Sequence, residues 1–131
     1  MKRCWTIAIA VALPWAAQAG DTHVAMAWLA LQSAAHTCCQ VDAHCRTLGV
    51  GALACGGPQQ YLAWSVLGTH EPTLNATAAR YAQARQKQIV RTGEMSVCVL
   101  QDDPGASCQR AAGAASGVCT LRAAVAGGQL R

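Results

Sequence analysis

The chain has 131 residues, a formal charge of +4, no phenylalanine and eight cysteines. That length suits one domain with one modest core. Ten basic residues against six acidic ones, spread along the chain, are too weak a bias to argue for nucleic acid or an anionic membrane surface. Alanine supplies much of the apolar content and buries little area, so disulfides are expected to contribute what packing does not.

Lys2 and Arg3 precede an apolar run from Cys4 to Trp15, and Ala17-Gln18-Ala19 offers the small residues a signal peptidase reads. Residues 1–19 are therefore expected to be a secretory signal peptide, the run being short of the roughly 20 apolar residues that span a membrane. Cleavage after Ala19 removes Lys2, Arg3 and Cys4, leaving seven cysteines and a formal charge of +2. Residues 20–126 are then a single disulfide-stabilised domain and 127–131 a mobile C-terminal tail. The expected location is periplasmic or secreted, with no membrane span after cleavage.

Val24, Trp28, Leu31 and Ala35 recur at helical spacing behind Asp21 and Thr22, predicting an amphipathic helix from Asp21 to about Thr37. Cys38, Cys39 and Cys45 follow, close to His36 and His44. An oxidising compartment favours disulfides over a thiolate site, and no second ligand pair follows at zinc-finger spacing, so neither metal nor cofactor is expected. A metal-binding protein using His36, His44 and these cysteines is one alternative. Gly49 and Gly51 make residues 48–53 an irregular connection or a short extended piece.

The stretch Cys55-Gly56-Gly57-Pro58-Gln59-Gln60-Tyr61-Leu62-Ala63-Trp64-Ser65 organises the middle of the chain. Pro58 is suited to the first turn of a helix, which is expected to run to about Leu67 and stop at Gly68. Tyr61 and Trp64, three apart, then anchor the core. Alternatively these rings line a ligand groove, with Gly56 and Gly57 allowing close approach. The longest helix is predicted from Leu74 to about Thr92, capped by Thr73 or Asn75 and ended by Gly93, with Leu74, Ala78, Tyr81 and Ile89 buried. Arg80, Arg85, Lys87 and Arg91 read as its solvated face.

Met95 to Leu100 alternates and is β-rich, so it is predicted as a strand, and Asp102-Asp103-Pro104-Gly105 as a turn. Gly117 to Leu121 returns as a second strand against Met95 to Leu100. The fold class is thus mainly α (α+β): a small disulfide-stapled domain of about three helices with a short C-terminal β-hairpin.

Seven cysteines make three bridges and a spare, with the connectivity open. Cys38 and Cys39, being adjacent, can hardly bridge to each other. No G-x-S-x-G, H-E-x-x-H or phosphate-binding glycine loop is present. Asp102 and Asp103 are neighbours whose carboxylates need not converge as a general acid/base pair must. A triad of Ser65, His70 and Asp42 would have to assemble in space.

Cys39 and Cys45 in a C-x5-C step, the C-G-G-P-x-x-Y of Cys55 to Tyr61, Ser96-Val97-Cys98 and the D-P-G-x-x-C of Asp103 to Cys108 together resemble a group of small exported bacterial proteins of uncharacterised function. The resemblance covers about Cys39 to Cys108 and implies export and a shared disulfide fold, but no activity. It also favours Cys38, outside the pattern, as the free thiol, able to join two chains as a disulfide-linked homodimer, which leaves Cys39, Cys45, Cys55, Cys98, Cys108 and Cys119 as the bridged six. The expected function is a non-catalytic binding or inhibitory module acting on a protein or cell-envelope component. Its candidate contacts are Gly56, Gly57, Tyr61, Trp64, Asp102 and Asp103. The competing reading is a thiol-dependent redox protein or enzyme using the unpaired cysteine.

Overall fold

A computed structural model describes residues 19–123. The expected signal peptide, apart from Ala19, and the expected tail 127–131 lie outside the described residues. Among the described residues there are two helices, not three: α1 (Ala19–Ala34) and α2 (Glu71–Thr92). Around them run β1 (Cys38–Cys39), a 3-10 turn at Asp42–His44, β2 (Cys45–Val50), β3 (Gln60–Ser65), β4 (Ala106–Gln109) and β5 (Gly117–Leu121). The fold is therefore a small α+β domain with three disulfides, which corrects the mainly helical expectation.

The largest correction concerns the centre of the chain. Gln60–Ser65 is a strand, antiparallel to β2 with Leu48 opposite Leu62 and Arg46 opposite Trp64. The spacing of Tyr61 and Trp64 suits a helix, but a run of aromatic and apolar residues suits a strand equally well. Gly56 and Gly57 have φ of 92° and 86° and complete a loop, and the Gln59 N–H closes it onto the Val50 carbonyl at 2.9 Å. Gly49 does not break β2. A Cβ there would stand 3.0 Å from the Pro58 Cβ, so the glycine lets the incoming chain lie close over the strand.

β3 is the partition between two cores, because alternate side chains of a strand leave opposite faces. On one side Trp64 joins Leu31, Val50, Leu74, Ala78 and Tyr81, with Leu62 and Trp28 packed against them. The Trp28 and Tyr81 rings, 5.2 Å apart, join α1 to α2. On the other side Ala63 meets Cys39, Cys45 and Cys119. Ala63 is small because disulfide sulfur fills that space.

α2 begins at Glu71, three residues before the expected start, with Pro72 accommodated in its first turn. It ends at Gly93, φ 67°, whose N–H bonds the Ile89 carbonyl. Its buried stripe is Leu74, Ala78, Tyr81, Arg85 and Ile89, so Arg85 leaves the expected solvated face. The Arg85 guanidinium lies 2.9 Å from the Glu94 carboxylate and also bonds Gln88. Arg80, Lys87 and Arg91 instead border a depression of about 400 Å³ against Gly20 and His23 of α1, where Arg91 pairs with Asp21 at 3.3 Å.

Met95 to Leu100 is not a strand, and β5 pairs with β4 on one side and β1 on the other. Met95, Val97, Val99 and Leu100 are all exposed, so the alternation in this segment reports no buried face. The hairpin loop between β4 and β5 is 110–116. Gly117 opens β5 where a Cβ would fall 2.2 Å from the Gln109 carbonyl oxygen. Gly117→Ala is therefore expected to destabilise by about 1–3 kcal/mol through forced backbone displacement, measured as a shift in the urea midpoint at unchanged slope.

The bridges are Cys39–Cys108, Cys45–Cys119 and Cys55–Cys98, and Cys38 is a free, exposed thiol. The first two fasten the C-terminal hairpin across the β1–β2 region. The third ties the loop before β3 to the segment after α2.

Candidate functional site

The most distinctive surface lies where the start of β3, the segment 95–104 and the end of β5 meet. Gln60 and Tyr61 form one wall of an open groove of about 720 Å³; Gln101, Asp102, Asp103 and Pro104 form another, and Leu121 and Ala123 close it. A smaller depression of about 240 Å³ on the same segment is lined by Leu53, Cys55, Gly56, Cys98, Val99 and Leu100. Leu100 lies close to Gly57, where an added Cβ would come 3.2 Å from a Leu100 methyl.

Four restraints hold the segment between α2 and β4. Glu94 is paired with Arg85 at its start, and Cys98 is bridged to Cys55 in its middle. The Tyr61 hydroxyl donates to the Gln101 carbonyl at 3.2 Å. Asp103 then accepts from the Thr47 hydroxyl at 2.6 Å and from the Gly105 N–H at 2.8 Å. Between these restraints Met95, Val97, Val99 and Leu100 are 91%, 84%, 68% and 76% exposed, so an apolar ridge stands in solvent on a fastened backbone.

The two carboxylates of the turn have different tasks. Asp103 is held below its ordinary value of 3.8, first by the Thr47 hydroxyl and then by the Gly105 N–H, both of which favour the ionised form. Both its oxygens are occupied, and it positions the turn. Asp102 is exposed and makes no hydrogen bond or ion pair with the described residues, which leaves it free to meet a ligand. Because the folded-state pKa of Asp103 is depressed, its contribution is present above 3.8 and is lost as the pH falls through the lower folded value. Thr47→Val is expected to move this pKa up towards 3.8, read from the pH titration of the Asp103 carboxyl carbon by NMR.

Of the six expected contact residues, Tyr61, Asp102 and Asp103 share the groove, and Gly56 lines the adjoining depression with Gly57 beneath Leu100. Trp64 does not belong with them. It is 7% exposed in the helical core, and its indole N–H has no hydrogen-bond partner among the described residues. The apolar ridge itself is absent from the expected contacts. Its signal was four large apolar residues within six positions, which the strand reading absorbed.

Ser65, His70 and Asp42 have separate partners: the Ser65 hydroxyl accepts from the Leu67 N–H, His70 bonds Thr73, and Asp42 accepts from the Cys108 N–H. His44 accepts from the Gln40 N–H through Nδ1, and the His36 backbone N–H bonds Thr69. Neither histidine joins the cluster formed by the sulfurs of Cys39, Cys45 and Cys108. No helix among the described residues is long and apolar enough to cross a membrane.

No protein-family model matches the chain, and no curated protein or solved structure matches it significantly. The functional reading therefore rests on the chain's own geometry.

Proposed function

We propose that this protein is an exported, non-catalytic binding module that engages a protein or cell-envelope component through the apolar ridge and the adjoining groove. The observation that carries the reading is the ridge: four large apolar side chains kept in solvent on a backbone fastened by a disulfide, an ion pair and side-chain hydrogen bonds. Exposed apolar surface with a polar rim is characteristic of interaction sites. A restrained binding segment also loses less conformational freedom on association. The groove adds specificity: Tyr61, Pro104 and Leu121 offer apolar contact, while Asp102 offers an unengaged carboxylate. The complementary ligand is a polypeptide segment carrying apolar side chains with a lysine or arginine beside them. Three disulfides are consistent with an oxidising compartment; the signal-like N-terminus supports export, and the resemblance to small exported bacterial proteins favours the periplasm or the cell exterior.

The test uses the oxidised protein immobilised and exposed to cell-envelope proteins, in parallel with the double variant Leu100→Glu/Asp102→Lys. Both substitutions lie on exposed positions, so the variant is expected to keep the wild-type circular dichroism and melting temperature. Proteins retained by the wild type are expected to be lost from the variant. Equal retention by both would refute the assignment of this face.

A further inference from the structure

Basic residues that are scattered along the sequence are gathered by the pairing of the two helices. Arg80, Lys87 and Arg91 recur on one side of α2, and α1 brings Gly20 and His23 against them, so that all five border one depression of about 400 Å³. Its lining contains no carboxylate. Asp21 stands at the edge, where the Gln88 side-chain amide donates to it at 2.9 Å and Arg91 pairs with it at 3.3 Å. Arg80 and Lys87 are exposed and make no hydrogen bond or ion pair with the described residues. Three cations therefore face one carboxylate. Gly20 is part of this construction: a Cβ there would collide with the Arg91 guanidinium, so the missing side chain lets Arg91 lie against the start of α1. The expected cleavage after Ala19 would add the Gly20 ammonium to the same wall.

We infer that this depression is a site for a ligand carrying two linked phosphate groups, either a soluble diphosphate ester or a lipid headgroup of the same chemistry. Like charges gathered around one concavity repel one another, and an anion seated among them removes that repulsion while accepting their hydrogen bonds. Guanidinium forks and an ammonium approaching from different directions suit a phosphate, whose oxygens point several ways. A planar carboxylate is satisfied by one guanidinium. Arg80 and Arg91 lie about 16 Å apart along the axis of α2. Their long side chains cover much of that distance from either end, and Lys87 stands between them, so the site takes two phosphates better than one. A volume of about 400 Å³ also falls in the range of about 300–1,000 Å³ typical of small-molecule sites. None of the lining residues belongs to the apolar ridge or to the groove beside Tyr61. This site is thus separate from the face proposed to bind a polypeptide.

The test titrates inorganic pyrophosphate into the oxidised protein at low ionic strength by calorimetry, and in a second arm measures retention on phosphatidylcholine vesicles with and without cardiolipin. One pyrophosphate per chain is expected. Binding is expected to weaken about tenfold in Arg80→Gln/Lys87→Gln and to stay unchanged in Arg110→Gln/Arg122→Gln, which removes the same charge elsewhere. All four positions are exposed, so both variants are expected to keep the wild-type circular dichroism and melting temperature. Cardiolipin-dependent retention that only the first variant loses would support the inference and assign the phosphates to a membrane lipid. Pyrophosphate binding without such retention would support it and assign them to a soluble ester. Absence of saturable pyrophosphate binding by the wild type at millimolar concentration, whatever the vesicles retain, would overturn the inference, as would an equal loss in both variants.

Discussion

Replacing Cys39, Cys45, Cys108 and Cys119 together by alanine is expected to unfold the domain, and replacing Cys45 and Cys119 alone to cost about 3 kcal/mol. The difference follows from how the two bridges interleave along the chain. Cys39–Cys108 spans 69 residues and Cys45–Cys119 spans 74, but they join the same two regions. While Cys39–Cys108 remains, the Cys45–Cys119 bond closes only the small ring made of residues 39–45 and 108–119. A ring of that order contributes about 3 kcal/mol by loop-closure entropy. Losing both bridges also opens the long loop, worth about 4 kcal/mol more. The combined loss is comparable with the roughly 5–15 kcal/mol that stabilises a typical domain. It also replaces the sulfur that fills the second core with space. Urea unfolding followed by circular dichroism checks both values. A wild-type midpoint in the fourfold variant would show that packing, not crosslinking, holds the hairpin.

Trp64→Ala is expected to cost about 3–5 kcal/mol, as for other buried aromatic residues truncated in a core. Trp64 is 7% exposed and meets Leu31, Val50, Leu74, Ala78 and Tyr81, so its removal leaves a cavity between β3 and both helices. Tyr61, three positions earlier, is half-buried with its hydroxyl on the Gln101 carbonyl at 3.2 Å. Tyr61→Ala is expected to cost less, about 0.5–3 kcal/mol, but to weaken partner binding by releasing the ridge from β3. Paired melting and binding measurements separate the two roles. Equal stability losses would mean that Tyr61 is a core anchor like Trp64.

The contrast between these two aromatics shows what could be read from the chain alone. Both helices were visible, because Val24, Trp28 and Leu31 repeat at one face of α1 and Leu74, Ala78, Tyr81 and Ile89 at one face of α2, with Gly93 as the stop. Gln60–Ser65 was misread because six residues with two aromatics three apart satisfy either period. Only its partner β2, itself disguised by Gly49, decides for the strand. Met95–Leu100 failed in the opposite way: its alternation has the form of a strand, but no strand among the described residues pairs with it. That disulfides stabilise the fold was legible from the cysteines and the signal-like N-terminus. The meeting of Cys39–Cys108 and Cys45–Cys119 in one core depends on strand register and was not. The groove was legible in pieces, since Tyr61, Asp102 and Asp103 stood out by type, but 40 residues separate Tyr61 from the Gln101 carbonyl it bonds.

The most direct measurement is site-specific photo-crosslinking in the producing cell, with a benzophenone amino acid placed either at Leu100 or at Val90. Both side chains are 76% exposed, but Leu100 is on the ridge and Val90 on the outer side of α2. The proposed function predicts a discrete adduct with another polypeptide from position 100, lost when Asp102 is changed to Lys, and none from position 90. Equal adducts from both positions, or no adduct from position 100 at a comparable protein level, would contradict it.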